Sequence, residues 1–169
     1  MADQKHIVIV GAGFGGVRLA KELAKEKNVR VTLVDRHNYH LFQPLLYQVS
    51  TAVLSASEIA YPTRQFFKNN KNVNFYMSKA LDIDQERRVL ITKHGEISYD
   101  YLVLAAGATT NFFGNESVAR NSYAMKTLQE AIALRGHIIH EFERAARKCG
   151  PDQWEARRRH LNFVIVGGG

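Results

Sequence analysis

Residues 6–10 (HIVIV) are β-branched and almost continuously apolar, the pattern of a parallel strand covered on both faces, and a glycine cluster follows at once. Over 14–26 the period changes to that of a helix. Val17, Leu19, Ala20, Leu23 and Ala24 share an inner face, while Lys21, Glu22, Lys25 and Glu26 lie outside. A second strand over 30–34 ends in Asp35 and completes a βαβ unit with a right-handed crossover.

After Asp35 the pattern gives way to an aromatic, polar loop at 37–43 and the run 44–49. A loose helical period resumes at 57–69, with Pro62 limiting where that helix starts. A third strand is predicted over 73–78. The stretch 87–92, a turn at 93–96 and the stretch 99–104 then read as a β-meander inserted before the last strand of a nucleotide-binding sheet. Residues 102–107 (LVLAAG) read as a buried strand ending on a small-residue corner, where backbone can approach a ligand. Thr127 and Glu130 have capping-box spacing at the head of a long helix, on which Leu128, Ile132, Arg135, Ile139, Phe142 and Ala146 step along one side. Ala131 and Ile138 flank that stripe, and Phe142 and Trp154 are read as packing residues. The helix is expected to end near Gly150 and Pro151. A second β-branched run at 161–166 reads as another strand, expected to fray or to pair with a neighbouring molecule where no strand of its own sheet is at hand, followed by Gly167, Gly168 and Gly169. IVIVGAG at 7–13 is echoed by FVIVGGG at 163–169, the one internal repeat.

With 169 residues and 46% hydrophobic side chains, the chain can bury a core of its own. No apolar run reaches the roughly 18 residues of a membrane span, and the first strand begins too early for a signal peptide, so a cytoplasmic protein is expected. Cys149 is alone and can supply neither a disulfide nor a dithiol redox centre, and no metal-ligand spacing occurs. Redox chemistry would need a bound cofactor. The net charge of +7 and the run Arg157, Arg158, Arg159 are read as a solvated face. A nucleic-acid-binding role is not expected, because basic and aromatic residues are not interleaved on a sheet or a recognition helix.

Gly11, Gly13 and Gly16 form GxGxxG between a strand and a helix, and Asp35 follows 19 residues after Gly16. In that context Gly11 permits the tight turn, Gly13 lets backbone approach a pyrophosphate and Gly16 lets helix and strand meet. Gly15 and Ala20 are expected to add small residues at that contact. The helix N-terminus offers free N–H groups to the anion, and Asp35 would accept from a ribose 2′-hydroxyl. Arg36 would read a 2′-phosphate or form a lip over the adenine. These features specify a dinucleotide without choosing between FAD and NAD.

VIVGAGFGG (8–16), VTLVDRHNYHLFQPLLYQV (31–49), YDYLVLAAGA (99–108) and VIVGGG (164–169) together resemble the FAD-dependent pyridine nucleotide-disulfide reductases, and within them the type II NADH:quinone oxidoreductase branch, over essentially the whole chain. The resemblance implies an α/β, Rossmann-like FAD-binding domain with a central parallel sheet and an inserted meander, which breaks off as a second, NADH-binding Rossmann domain begins. It implies domain limits of 1–160 and 161–169, with Gly167 and Gly169 opening the NADH motif. Gly11, Gly13, Phe14 and Gly16 would cradle the FAD pyrophosphate and Asp35 would hold the ribose. Ala80 would touch adenine through its backbone, Ala106 and Gly107 would line the flavin corner, and residues 43–47 (QPLLY) would lie near the isoalloxazine ring. The segment after the second strand lacks the cysteine pair of the disulfide reductases, which implies electron transfer to an external quinone.

The expected reaction needs no catalytic side chain and no metal. His37, Tyr39 and His40 are accordingly read as packing or surface residues. The same resemblance implies peripheral contact with the inner face of the cell membrane through further segments, a homodimer as a candidate assembly, and an inactive fragment. The alternatives are a non-catalytic dinucleotide-binding module, a ferredoxin reductase, or a sulfide:quinone reductase, the last of which also needs cysteines.

Overall fold

The structure, a computed structural model, describes residues 4–148, 150 and 153–167. Along the chain the elements are β1 (Lys5–Val10), α1 (Phe14–Leu23), β2 (Val29–Asp35), β3 (Tyr39–Leu41), a 3-10 turn (Gln43–Leu45), α2 (Leu46–Ser50), α3 (Ala56–Ile59), β4 (Ala60–Pro62) and α4 (Thr63–Phe66). They continue with β5 (Val73–Met77), β6 (Ala80–Asp84), β7 (Val89–Thr92), β8 (Gly95–Ser98), β9 (Tyr101–Leu104), α5 (Glu116–Asn121), α6 (Leu128–Ala146) and α7 (Trp154–His160). Two compact units form, Met1–Phe42 with Ser57–Thr109, and Gln43–Ala56 with Thr110–Gly169.

In the first unit four parallel strands lie in the order β5-β2-β1-β9. Side chains alternate across such a sheet. Ile9, Val31, Leu33, Val73 and Phe75 meet Val17 and Ala20 of α1 and Phe67 on one face, and Val8 and Val34 meet Leu90 of β7 on the other. The second face is therefore covered by the antiparallel sheet β6-β7-β8, which explains why β1 and β2 are apolar at consecutive positions rather than alternate ones. Each of these fully buried aliphatic side chains contributes about 1.5–3 kcal/mol. At the N-terminal end of the sheet the backbone N–H of His6 donates to Asp100 Oδ2 (2.7 Å), and its buried ring lies 2.8 Å from the Thr32 hydroxyl. Burial and the neighbouring Arg30 push the His6 imidazole below its ordinary pKa, outweighing the Ser98 carbonyl and Asp100, which act the other way.

The structure departs from the sequence pattern in the following elements. The helix expected over 57–69 is two single turns, α3 and α4, separated by β4, because Tyr61 and Pro62 pair with β3. The meander is β6-β7-β8 and not the set ending at 104. Residues 101–104 form β9 of the parallel sheet, and as its edge strand β9 leaves Tyr101 and Leu104 exposed rather than buried.

In the second unit, α6 opens with the expected capping box. The Thr127 hydroxyl accepts from the Glu130 N–H, and the Glu130 carboxylate accepts from the N–H groups of Thr127 (2.8 Å) and Lys126 (2.9 Å). Partial burial raises the pKa of Glu130, but those donors outweigh it and hold the carboxyl below its usual value. α2 and α7 pack on α6, whose buried residues are Leu128, Ala131 and Ala145. The stripe through Ile132, Ile139 and Phe142 is exposed instead, since the helix period identifies a face but its neighbours decide which face is covered. Trp154 is likewise exposed at the start of α7. Residues 161–167 adopt no regular structure, and Val164, Ile165 and Val166 stand open to solvent, the frayed state expected of a β-branched run with no strand to pair with. Cys149, Pro151, Gly168 and Gly169 lie outside the described residues.

Candidate functional site

The turn between β1 and α1 lies at the C-terminal end of the parallel sheet, where open α/β folds place their ligands. Its three glycines have three different reasons to be glycine. Gly11 has φ +106°, and a Cβ there would sit 2.3 Å from the Ala105 carbonyl oxygen and 3.0 Å from Ala106 Cα. Gly11 is thus both a turn residue and the point where the β1 loop touches the corner after β9. A Cβ on Gly16 would fall 1.8 Å from the Gly11 carbonyl oxygen, so only glycine lets α1 start this close to its own strand. Gly13 is extended (φ −73°) and a Cβ on it would meet nothing within 4 Å. Neither turn geometry nor packing within the chain demands glycine at that position.

Gly13 is the N-cap of α1, with no side-chain cap and no acidic residue in the first turn. A helix start of this kind leaves backbone N–H groups and the positive end of the dipole to whatever occupies the space in front. Gly15 is exposed there as well and meets nothing within 4 Å, which corrects its expected place at the helix-strand contact; Ala20 is the small residue fully buried against the strand.

Asp35, at the end of β2, accepts the Ala12 N–H through Oδ2 (2.6 Å) and the His37 N–H through Oδ1 (2.8 Å). The carboxylate therefore ties the glycine loop to β2, and each oxygen keeps a lone pair for another donor. Arg36 beside it is exposed. The Ser78 N–H donates to the Asp35 carbonyl (2.8 Å), which brings the start of β6 to the same sheet end, and Ala80 shares an open cavity there with Val10, Leu81, Asp82, Leu90 and Leu104. Ala106 and Gly107 (φ +73°) follow β9 on the exposed corner. Gly11, Asp35, Ala80, Ala106 and Gly107 are accordingly gathered at one end of one sheet. Gln43 to Tyr47 belongs to the second compact unit, as does Gly167 (φ +91°).

One contributor escapes sequence reasoning. His40 of β3 donates from Nδ1–H to the Ala12 carbonyl (2.8 Å), and its ring meets Phe14 and Phe66 edge-on at 5.1 and 5.6 Å. Phe14, at the helix start, also contacts Phe42 (5.5 Å) and stays half-exposed. Among the described residues no group of His, Cys, Asp and Glu could hold a metal ion, and no helix is long and apolar enough to cross a membrane.

The sequence profile of the pyridine nucleotide-disulphide oxidoreductases matches residues 5–169. The chain belongs to that family. Relatives in it include two type II NADH:quinone oxidoreductases of Mycobacterium tuberculosis. Ndh is 40% identical over 168 residues, covering 97% of this chain and 35% of the relative, and NdhA is 41% identical over 173 residues, covering 100% and 36%. Among solved structures, NDH2 of Plasmodium falciparum superposes with a TM-score of 0.75 at 28% identity, over 85% of this chain and 30% of that one. The sulfide:quinone oxidoreductase of Aquifex aeolicus superposes with a TM-score of 0.71 at 26% identity, over 82% and 32%. This family member thus spans about a third of the length of the curated relatives it matches.

Proposed function

We propose that these residues form the FAD-binding part of an NADH:quinone oxidoreductase. The observation that carries the reading is the Gly13 cradle, an uncapped helix N-terminus faced by space that a side chain would fill and that nothing in the chain uses. The residues present fit FAD. Gly11, Gly13, Phe14 and Gly16 cradle the pyrophosphate, Gly13 and Phe14 by their backbone N–H groups at the helix start and Gly11, whose N–H is taken by the Val34 carbonyl, by the turn it permits; Gly15 keeps the approach open, and Asp35 accepts a ribose hydroxyl on a free lone pair. Arg36 forms the lip over the adenine, the backbone at Ala80 borders that ring, and Ala106 and Gly107 line the flavin side. Bound FAD would supply the two-electron chemistry, accepting a hydride equivalent from NADH and passing electrons to a quinone.

The chain's own contribution is to bind and orient, with no side chain acting as acid or base and no metal. Two domain portions are inferred, 1–160 for FAD and 161–169 opening an NADH-binding portion at Gly167 and Gly169. The whole protein would act as a peripheral enzyme at the cytoplasmic face of the cell membrane, with a homodimer as its candidate assembly. These 169 residues, a third of the relatives' length, would bind FAD without turning over NADH. Incubation of the purified protein with excess FAD and removal of the free flavin by dialysis, followed by its visible absorption and an NADH-oxidation assay with a soluble quinone, tests this. A retained flavin band without NADH oxidation is the expected result; absence of the band removes the FAD reading, and steady turnover removes the division of labour.

A further inference from the structure

We infer that His40 is a positioning residue that sets the direction of the Gly13 N–H in the dinucleotide loop. The inference rests on the FAD reading of that loop for its consequence, though not for its geometry. A peptide unit is planar and trans, so its C=O and N–H point in opposite directions and fixing one fixes the other. Two consecutive units of the loop are each held at one end. The unit joining Gly11 to Ala12 is fixed by its N–H, which donates to Asp35 Oδ2 (2.6 Å). The unit joining Ala12 to Gly13 is fixed by its C=O, which accepts from His40 Nδ1 (2.8 Å). The second bond leaves the Gly13 N–H directed away from His40. Glycine at 13 places no side-chain restriction on φ at its end of this peptide, so that bond adds a restraint on the unit's direction that the backbone of Gly13 does not supply.

The imidazole is itself held in place. It belongs to β3, which pairs with β4 through His40 and Tyr61, and Phe14 and Phe66 flank the ring edge-on. A carbonyl oxygen can only accept, so Nδ1 carries the proton and donates. The Ala12 side of the contact is buried, which makes an unpaired carbonyl there costly.

Two variants separate the hydrogen bond from the packing. His40→Phe keeps an aromatic ring between Phe14 and Phe66 and loses the donor; His40→Asn loses the ring and keeps an N–H close to the position of Nδ1. Two readouts are taken on each purified variant: amide hydrogen exchange of the peptide spanning the glycine loop without cofactor, and FAD affinity by quenching of flavin fluorescence. The expected result is exchange about tenfold faster and FAD binding about tenfold weaker in His40→Phe, with both within about threefold of the parent in His40→Asn. Loop exchange in His40→Phe equal to the parent, or both variants equally fast, overturns the inference, the second outcome showing that ring packing holds the loop. If the parent protein binds no FAD but the exchange contrast between the variants is found, the positioning role stands and the cofactor reading falls.

Discussion

Replacing Gly16 by alanine tests whether the glycine motif holds its own fold or its ligand. The new Cβ would lie 1.8 Å from the Gly11 carbonyl oxygen and 3.0 Å from its carbon, while real Cβ contacts essentially never fall under 3.0 Å. The two backbones must therefore separate by more than an ångström, and neither neighbour is a flexible side chain. Overpacking costs about 1–3 kcal/mol, and a backbone clash belongs at the upper end. Alanine returns up to about 1 kcal/mol of helix propensity, leaving about 2 kcal/mol of net destabilisation. For a chain of this size that lowers the thermal midpoint by about 4–8 °C, read by far-UV circular dichroism without cofactor. Gly13→Ala and Gly15→Ala meet nothing within 4 Å and should melt within about 2 °C of the parent, or slightly above it for Gly15→Ala. The order reverses for the ligand, because alanine at 13 takes up space assigned to the pyrophosphate and should weaken FAD binding at least fivefold. A parent-like midpoint for Gly16→Ala, or a Gly13→Ala variant that melts as low, would refute this reasoning.

Asp35→Ala leaves the N–H groups of Ala12 and His37 without their acceptor and should cost about 1–3 kcal/mol in urea unfolding, together with poorer FAD retention after dialysis. Unchanged flavin content would remove the ribose role proposed for it. Thr127→Ala removes the side-chain half of the α6 capping box and should cost about 1 kcal/mol, read as loss of helical signal at lower temperature than in the parent. His6, with its folded pKa pushed below the ordinary 6.5, binds a proton in the unfolded chain before it does so in the folded one. Stability contributed by the neutral ring is therefore fully present above about pH 6.5 and declines as pH falls through that value toward the folded pKa. The same titration of His6→Gln should be flatter over that window; an equally steep loss assigns it to other groups.

The βαβ unit and Asp35 were legible because every signal there is local: a continuous apolar run, a glycine spacing, a helix period and an acid in order. The capping box was legible for the same reason. β6 and β8 are not legible in the sequence because ALDID and GEIS are short and mix charges with only two or one large apolar residues, so their pairing with β7 defines them more than their own composition does. β9 reads as buried from its composition, but strand order makes it an edge, and no pattern within LVLAAG reveals its rank in the sheet. His40 illustrates the same limit at the site. Its partner Ala12 is 28 residues away, and only the placement of β3 brings the imidazole to that carbonyl.

The central position of β1 also fixes an order of events during synthesis. Its partner on one side, β2, follows within a few tens of residues, but its partner on the other side is β9, and the bond from His6 to Asp100 spans 94 residues. At about 5–20 residues per second, a ribosome would take about 5–20 s to make that stretch. For the part of that interval after Asp35 is made, the nascent chain carries a glycine loop anchored through Asp35 but lacking the Ala105 backbone against which Gly11 later rests. The glycine turn is begun by the first 35 residues and completed only after residue 105 emerges, so translation pauses between those points would prolong a half-built turn with an open β edge, the state most open to capture by a chaperone.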